Sequence, residues 1–233
     1  MNRFFGIVEG LVSELEATQN ESIEAAAGLI SESILSGGIL QSFGCGHSYG
    51  SAIEIAARAG GLISSKCLRD PAYGAYEHIE GVGTHFLKKA EIAPEDVVVV
   101  ISNSGRNPMP IEIALGAQER GAKVIAVTSV SASRLLSSKH SSGKRLYEIA
   151  DVVLDNRTPE GDAAVRLEGM SSPICGVSSI SAAILLQCTM CRACELMLGQ
   201  GFEPPVYMSQ NLDGGREFNE KLTAKYFSRI YHI

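Results

Sequence analysis

The chain has 233 residues, 45% hydrophobic and 20% charged, enough for a well-buried core and ordinary for a soluble globular protein. A formal net charge of −6, with no strongly basic stripe, argues against nucleic acid as the main partner, because backbone binding needs clustered Lys and Arg. Six cysteines without secretory features fit reduced thiols in the cytoplasm, the N-terminus lacks a signal-peptide core, and the apolar runs 97–101 and 180–187 are too short or too polar to cross a membrane.

Apolar side chains at helical spacing (Phe4, Ile7, Val8, Leu11, Leu15, Ile23, Ala26, Ala27, Ile30, Ile34) predict one or two helices over 4–35, with a break near 18–20. Gly37 and Gly38 end this segment. A repeating strand–helix pattern follows. Residues 39–43 predict a strand, Gly44-Cys45-Gly46 a glycine loop, 49–59 a helix and 62–64 a weaker strand. The run 97–101 is β-branched without polar interruption, as in a central parallel strand buried on both faces. Pro108 and Pro110 suit the first turn of a helix that stops at Gly121. Strands over 124–128 and 152–154 come next, then a long apolar helix over 173–199 and a more polar one over 213–231. Alternation of this kind predicts an α/β fold, a three-layer sandwich around a parallel sheet. With no linker in view, we expect a single domain over 1–233, in which 1–36 form a helical extension and 37–233 the core.

The strongest local signal is a strand, a short Ser/Gly loop, a helix and a second strand ending in Thr-Ser: VVVVISNSGRNP…ERGAKVIAVTS. Such a strand delivers its loop to the carboxyl edge of a parallel sheet, where α/β proteins bind ligands. The helix N-terminus behind it offers unpaired N–H groups and partial positive charge. Ser102, Asn103, Ser104 and Asn107 supply neutral donors, and Gly105 lets the backbone approach closely. This combination suits phosphate without any net positive charge. Helix capping is the local alternative for any one of these residues. The first glycine loop could be read as a dinucleotide fingerprint, but Lys66 stands where an acid would meet the ribose, which argues against a nicotinamide cofactor. No cofactor is expected.

The two loops resemble those of the SIS (sugar isomerase) domains of phosphosugar isomerases, of glucosamine-6-phosphate synthase and of sugar-phosphate-sensing regulators. The stretches NSGRNP, HSSGKRLYE, GDA and EPPV are similar to those of a stand-alone SIS group. The resemblance implies a flavodoxin-like, five-stranded parallel sheet. It also implies a phosphate loop at Ser102, Asn103, Ser104 and Asn107, with Ser48 after the first glycine loop and Thr128 and Ser129 closing the site.

Aldose–ketose isomerisation needs a base that carries a proton between adjacent carbons, and a group that helps open the sugar ring. Glu54, flanked by Ile53, Ile55 and Ala56, is the expected base, with a solvated helix glutamate as the alternative. The resemblance implies a second glutamate two turns later, where this chain has Gly61. His47 on the glycine loop and His78, beside Glu77 in a segment that covers the site in similar proteins, are candidates for ring opening. Asp162, Glu168 and Asp213 are further acids in Gly-rich connections, and Lys144 sits in the only compact basic stretch, either a solvated loop or a lid. Cys188, Cys191 and Cys194 lie three apart on a continuous apolar helix, which does not wrap a metal, so no metal is expected.

The expected function is binding of a phosphorylated sugar with cofactor-free aldose–ketose isomerisation. A non-catalytic sugar-phosphate sensor and a lyase or etherase acting on an amino-sugar phosphate are the alternatives. Apolar helix surface in excess of what one sheet covers predicts a homodimer or homotetramer.

Overall fold

The computed structural model describes residues 3–231. Its sheet has five parallel strands in the order β2-β1-β3-β4-β5: β1 (Leu40–Gly44), β2 (Ser65–Cys67), β3 (Val97–Ile101), β4 (Lys123–Thr128) and β5 (Val152–Asp155). The three central strands are buried almost throughout, as their uninterrupted apolar sequences require. Alternate residues feed two separate cores. Leu40, Val97, Val99, Ile125 and Val127 face α1 (Arg3–Leu35), α2 (Ser48–Glu54) and α6 (Ser178–Gly199). Phe43, Val98, Val100, Val124 and Ala126 face α3 (Val82–Leu87) and α4 (Pro108–Glu119). The expected α/β sandwich with a five-stranded parallel sheet is therefore present.

Helix α1 is continuous, without the expected break. Its polar centre is stitched into the fold: Thr18 Oγ1 and Asn20 Nδ2 donate to the carbonyls of Glu14 and Glu16, and Gln19 accepts from the Asp155 amide at 2.9 Å. Leu11, Leu15, Ile30 and Ile34 are buried in the core shared with α6, so this helix forms part of a sandwich layer. Helix α2 stops at Glu54, five residues early, and Ala57 takes a left-handed φ of 53°. Residues 60–63 pair antiparallel with 205–207, through Leu62 opposite Val206, which delays β2 to Ser65.

A hairpin of β6 (Ala163–Val165) and β7 (Ile174–Gly176) occupies the predicted start of α6. Cys175 at φ 63° is incompatible with helix, and Asp162 accepts from the amides of Val177 and Ser178, capping α6 at its observed start. Helix α6 is long and apolar enough to cross a membrane by length and composition alone. Leu185, Leu186, Ala193 and Met197 on one side of it are buried in the core, while Gln187, Cys188, Cys191 and Glu195 are exposed.

The C-terminal helix α7 (Gly215–Ile230) is latched at the opposite end of the sheet from the strands' carboxyl edge. Asp96, wholly buried just before β3, accepts from the Ile39 amide at 2.9 Å, from Gln41 Nε2 at 2.7 Å and from the Ala93 amide at 2.8 Å. Arg229 of α7 completes this set with two bonds to the same carboxylate, at 2.9 and 2.7 Å. Replacing Arg229 by Ala strands a buried carboxylate with only neutral donors. We expect a loss of about 2–4 kcal/mol in urea unfolding, because removing one partner of a buried ion pair leaves its desolvation uncompensated.

Candidate functional site

In a sheet ordered 2-1-3-4-5, the chain reverses direction between β1 and β3, and their following helices leave on opposite faces. The crevice at the carboxyl ends of these two strands holds a cavity of about 420 Å³. Ser48 and Cys45 line it from β1, and Ser102, Asn103, Ser104 and Asn107 from β3. Glu77 and Glu160 add the two carboxylates among the lining residues.

Loop 102–107 is fixed from beneath. The Asn103 carbonyl accepts from the Ser129 amide at 3.0 Å and from Thr128 Oγ1 at 3.2 Å. Its side-chain oxygen accepts from Asn156 Nδ2 at 2.9 Å and Thr158 Oγ1 at 2.7 Å. Ser129 Oγ donates to the Thr158 carbonyl at 2.7 Å and accepts from the Ala132 amide, and both Thr128 and Ser129 are fully buried. These two residues shape the loop and do not line the cavity. Gly105 sits at φ 59°, and a Cβ there would come within 2.9 Å of Thr128 Oγ1 and 3.2 Å of Ser133 Oγ. Among the described residues the hydroxyls of Ser48 and Ser104 make no hydrogen bond, so two neutral donors face the cavity above the N-terminus of α4.

Segment 77–84 closes the opposite wall. Glu77 Oε1 accepts from Asn107 Nδ2 at 2.9 Å, the Glu77 carbonyl accepts from the Met109 amide at 3.2 Å, and His78 Nε2 lies 3.5 Å from the same carboxylate. This segment is tied to loop 102–107 through a strap over 137–146. The Lys139 and Leu146 amides donate to the carbonyls of Arg106 and Gly105, both at 2.8 Å. Ser141 donates through its amide, at 2.9 Å, and its hydroxyl to Glu80. His140 lies between Glu80 and the buried Glu112, at 3.5 and 3.9 Å. Backbone amides and Ser141 thus hold the strap, while Lys144 is exposed and does not line the cavity.

Glu54 is placed elsewhere. At the last residue of α2 its carboxylate bonds to Arg58 and accepts from Gln187 Nε2 of α6 at 3.0 Å, and it does not line the cavity. Glu54, expected as the base, therefore lies outside the cavity that holds the Ser/Asn loop. His47 is exposed at the N-cap position of α2, next to Ser48, and His78 is exposed beside Glu77. Asp162 caps α6, and Asp213 leaves the N-cap of α7 to Gly214. Cys188 and Cys191 are exposed on α6 and Cys194 is half-buried, so the three do not form a core stripe. No group of three or more His, Cys, Asp or Glu side chains among the described residues is arranged to hold a metal ion.

The sequence pairs Glu77 with His78 as a candidate in the segment after β2, and carries no signal for Glu160. The signal for Glu77 is its position in the segment before α3, but only the bond to Asn107 shows which way it faces.

The SIS domain family matches residues 3–129. A UPF0309 protein of Listeria monocytogenes is 53% identical over 230 residues, covering 99% of this chain and 98% of that one. Another, from Halalkalibacterium halodurans, is 40% identical over 93% of both chains. Among solved structures, the phosphoheptose isomerase of Neisseria gonorrhoeae superposes with a TM-score of 0.54 at 21% identity, over 82% of this chain and 94% of its own. That of Francisella tularensis gives 0.57 at 17% identity, over 82% and 95%. At such identities the likeness is one of fold.

Burial first, and then the nearby charges of Glu77 and Asp70, hold the Cys45 thiol well above the usual cysteine range. The thiol therefore stays protonated through neutral pH. Iodoacetamide at pH 8, read by peptide mass spectrometry, should label the exposed Cys188 and Cys191 while sparing Cys45. Gly105→Ala should cost about 1–3 kcal/mol in chemical denaturation, since it combines a left-handed φ with a steric clash.

Proposed function

The chain belongs to the SIS-domain family, and on that premise we propose that it binds a phosphorylated sugar at the β1/β3 crevice and interconverts its aldose and ketose forms. The observation that carries this reading is the meeting, in one cavity, of neutral anion donors with a positioned carboxylate. Ser48, Ser102, Asn103, Ser104 and Asn107 line one part, and Glu77, held by Asn107, faces the same space. Serine hydroxyls, a glycine-containing loop and a helix N-terminus suit a phosphate, and the cavity volume suits a small sugar.

The phosphate anchors the sugar, and its binding energy positions the reacting carbons. The Glu77 carboxylate then takes the proton from C2 of the open-chain aldose. The C2–H bond breaks, its electron pair forms the C1–C2 double bond of an enediol, and the carbonyl oxygen gains a proton. Return of a proton to C1, with loss of the C2 hydroxyl proton, gives the ketose. The reaction is internally redox-balanced. His78, 3.5 Å from Glu77, is a candidate for opening the sugar ring, and His47 is the alternative from the other loop. The same site would serve a sensor equally well, since its anion donors are independent of Glu77.

A panel of phosphosugars screened by thermal shift, followed by proton NMR of the best hit in deuterated water, tests this reading. Turnover should be accompanied by deuterium entering at C1 or C2. Glu77→Gln should lower turnover by about 10²–10⁴-fold with little change in Kd, while Glu54→Gln stays within a few-fold of wild type. Binding without turnover in the wild type would support a sensor, and loss of the phosphorylated carbon chain or an ether substituent would support a lyase or etherase.

A further inference from the structure

A second cavity, of about 980 Å³, opens at the β2 edge of the sheet and is larger than the crevice site. Its apolar lining comes from Leu68 and Pro71 after β2, Phe86 of α3 and Ile230 of α7. The charged residues that line it are Lys66, Arg69 and Lys89, with no carboxylate side chain among the described residues of the lining. In a chain of net charge −6, this is a local concentration of positive charge around an apolar space.

The three cations differ. Lys66 is buried, donates to the Glu91 carbonyl at 3.2 Å and lies in the field of Glu91 and Asp96. Arg69 and Lys89 are exposed and belong to no ion pair among the described residues. Arg69 bonds to the Tyr73 hydroxyl and its guanidinium lies 5.4 Å from the Tyr73 ring centre, contacts that hold it at the cavity wall without an opposing carboxylate. Apolar walls beside two cations that have no ion-pair partner among the described residues fit a molecule with an apolar body and one anionic group.

The turn that separates the two cavities is shared by both. Asp70 accepts from the amides of Ala72 at 2.9 Å and Gly74 at 2.7 Å, and Tyr73 between them adopts a φ of 52° that sends its ring into the basic cavity. The same ring meets Tyr49, the residue after Ser48, edge-on at 6.1 Å. Gly74 sits so close to the other loop that a Cβ would lie 2.7 Å from the Gly46 amide, and Glu77 follows three residues later. We propose that the basic cavity is a second ligand site, for an amphiphilic organic anion with an aryl or alkyl body, and that its occupation is transmitted to the crevice through turn 70–77. The binding claim stands apart from the proposed isomerase reading; only the functional meaning of the coupling rests on it.

The fluorescent aryl sulfonate 8-anilinonaphthalene-1-sulfonate serves as the probe on the full chain. We expect saturable binding with one site per chain, weakened at least tenfold in the double variant Arg69→Glu/Lys89→Glu. Both changes are at exposed positions, and far-UV circular dichroism checks that the fold is kept. Ser104→Ala, in the crevice, should leave the titration unchanged, and equimolar inorganic phosphate should not displace the probe. Hydrogen exchange should show slower exchange of the 72–77 amides on probe binding. Equal affinity in the double variant, loss of binding in Ser104→Ala or displacement by phosphate would each overturn the site. A signal that appears only on dilution of an oligomer would assign the cavity to a second copy and overturn it as well. Unchanged exchange at 72–77 would overturn the coupling. None of these readouts requires turnover, so failure of the isomerase reading is distinguishable from failure of this one.

Discussion

Four hydrogen bonds converge on Asn103, and the candidate site depends on them. Its carbonyl is held by Thr128 and Ser129 at the end of β4, and its side-chain oxygen by Asn156 and Thr158 beyond β5. One residue after β3 thereby ties together the carboxyl ends of three adjacent strands. With both acceptors saturated, the loop has little freedom to rearrange, and the serines on either side are presented to the cavity in a set geometry. Gly105 follows from the same constraint: the chain must turn over Thr128 and Ser133 with no room for a side chain. Preorganisation of this kind suits a site that relies on neutral donors, because hydroxyls and amides gain strength as anion ligands only when they already point at the charge.

Charge is partitioned across the molecule in a way that follows from this. The crevice is lined by two carboxylates and no Lys or Arg, while the lining of the neighbouring basic cavity has three cations and no acid. In the crevice Glu77 accepts from a neutral partner, Asn107, and lies 3.5 Å from the His78 ring. Turn 70–77 contributes Pro71 and Tyr73 to the basic cavity and Glu77 to the crevice, and the Ala72 and Gly74 amides donate to Asp70 within it.

Much of the fold was legible because local pattern and tertiary burial coincide there. The run Val97–Ile101 has no polar interruption, so it had to be a strand buried on both faces, and the prolines after it had to begin a helix. Patterns misled where a distant segment competes for the backbone. Residues 62–64 read as a strand of the main sheet, yet Leu62 pairs with Val206, more than 140 positions away. Residues 173–177 read as the start of an apolar helix, yet Asp162 caps that helix later and leaves the preceding residues to a hairpin. Neither competitor is visible in a local window.

By itself the sequence determined the parallel α/β architecture and the Ser/Asn/Gly loop at the carboxyl edge of β3, because strand burial, helix starts and tight turns are dictated by residues close together in the chain. Only the tertiary structure decided which carboxylate faces that loop. Glu54 and Glu77 are alike as sequence: acids a short way beyond a strand, β1 for one and β2 for the other. What separates them is the partner each side chain finds across the fold, Gln187 on α6 for Glu54 and Asn107 on loop 102–107 for Glu77, and such partners are set by packing between elements far apart in the chain.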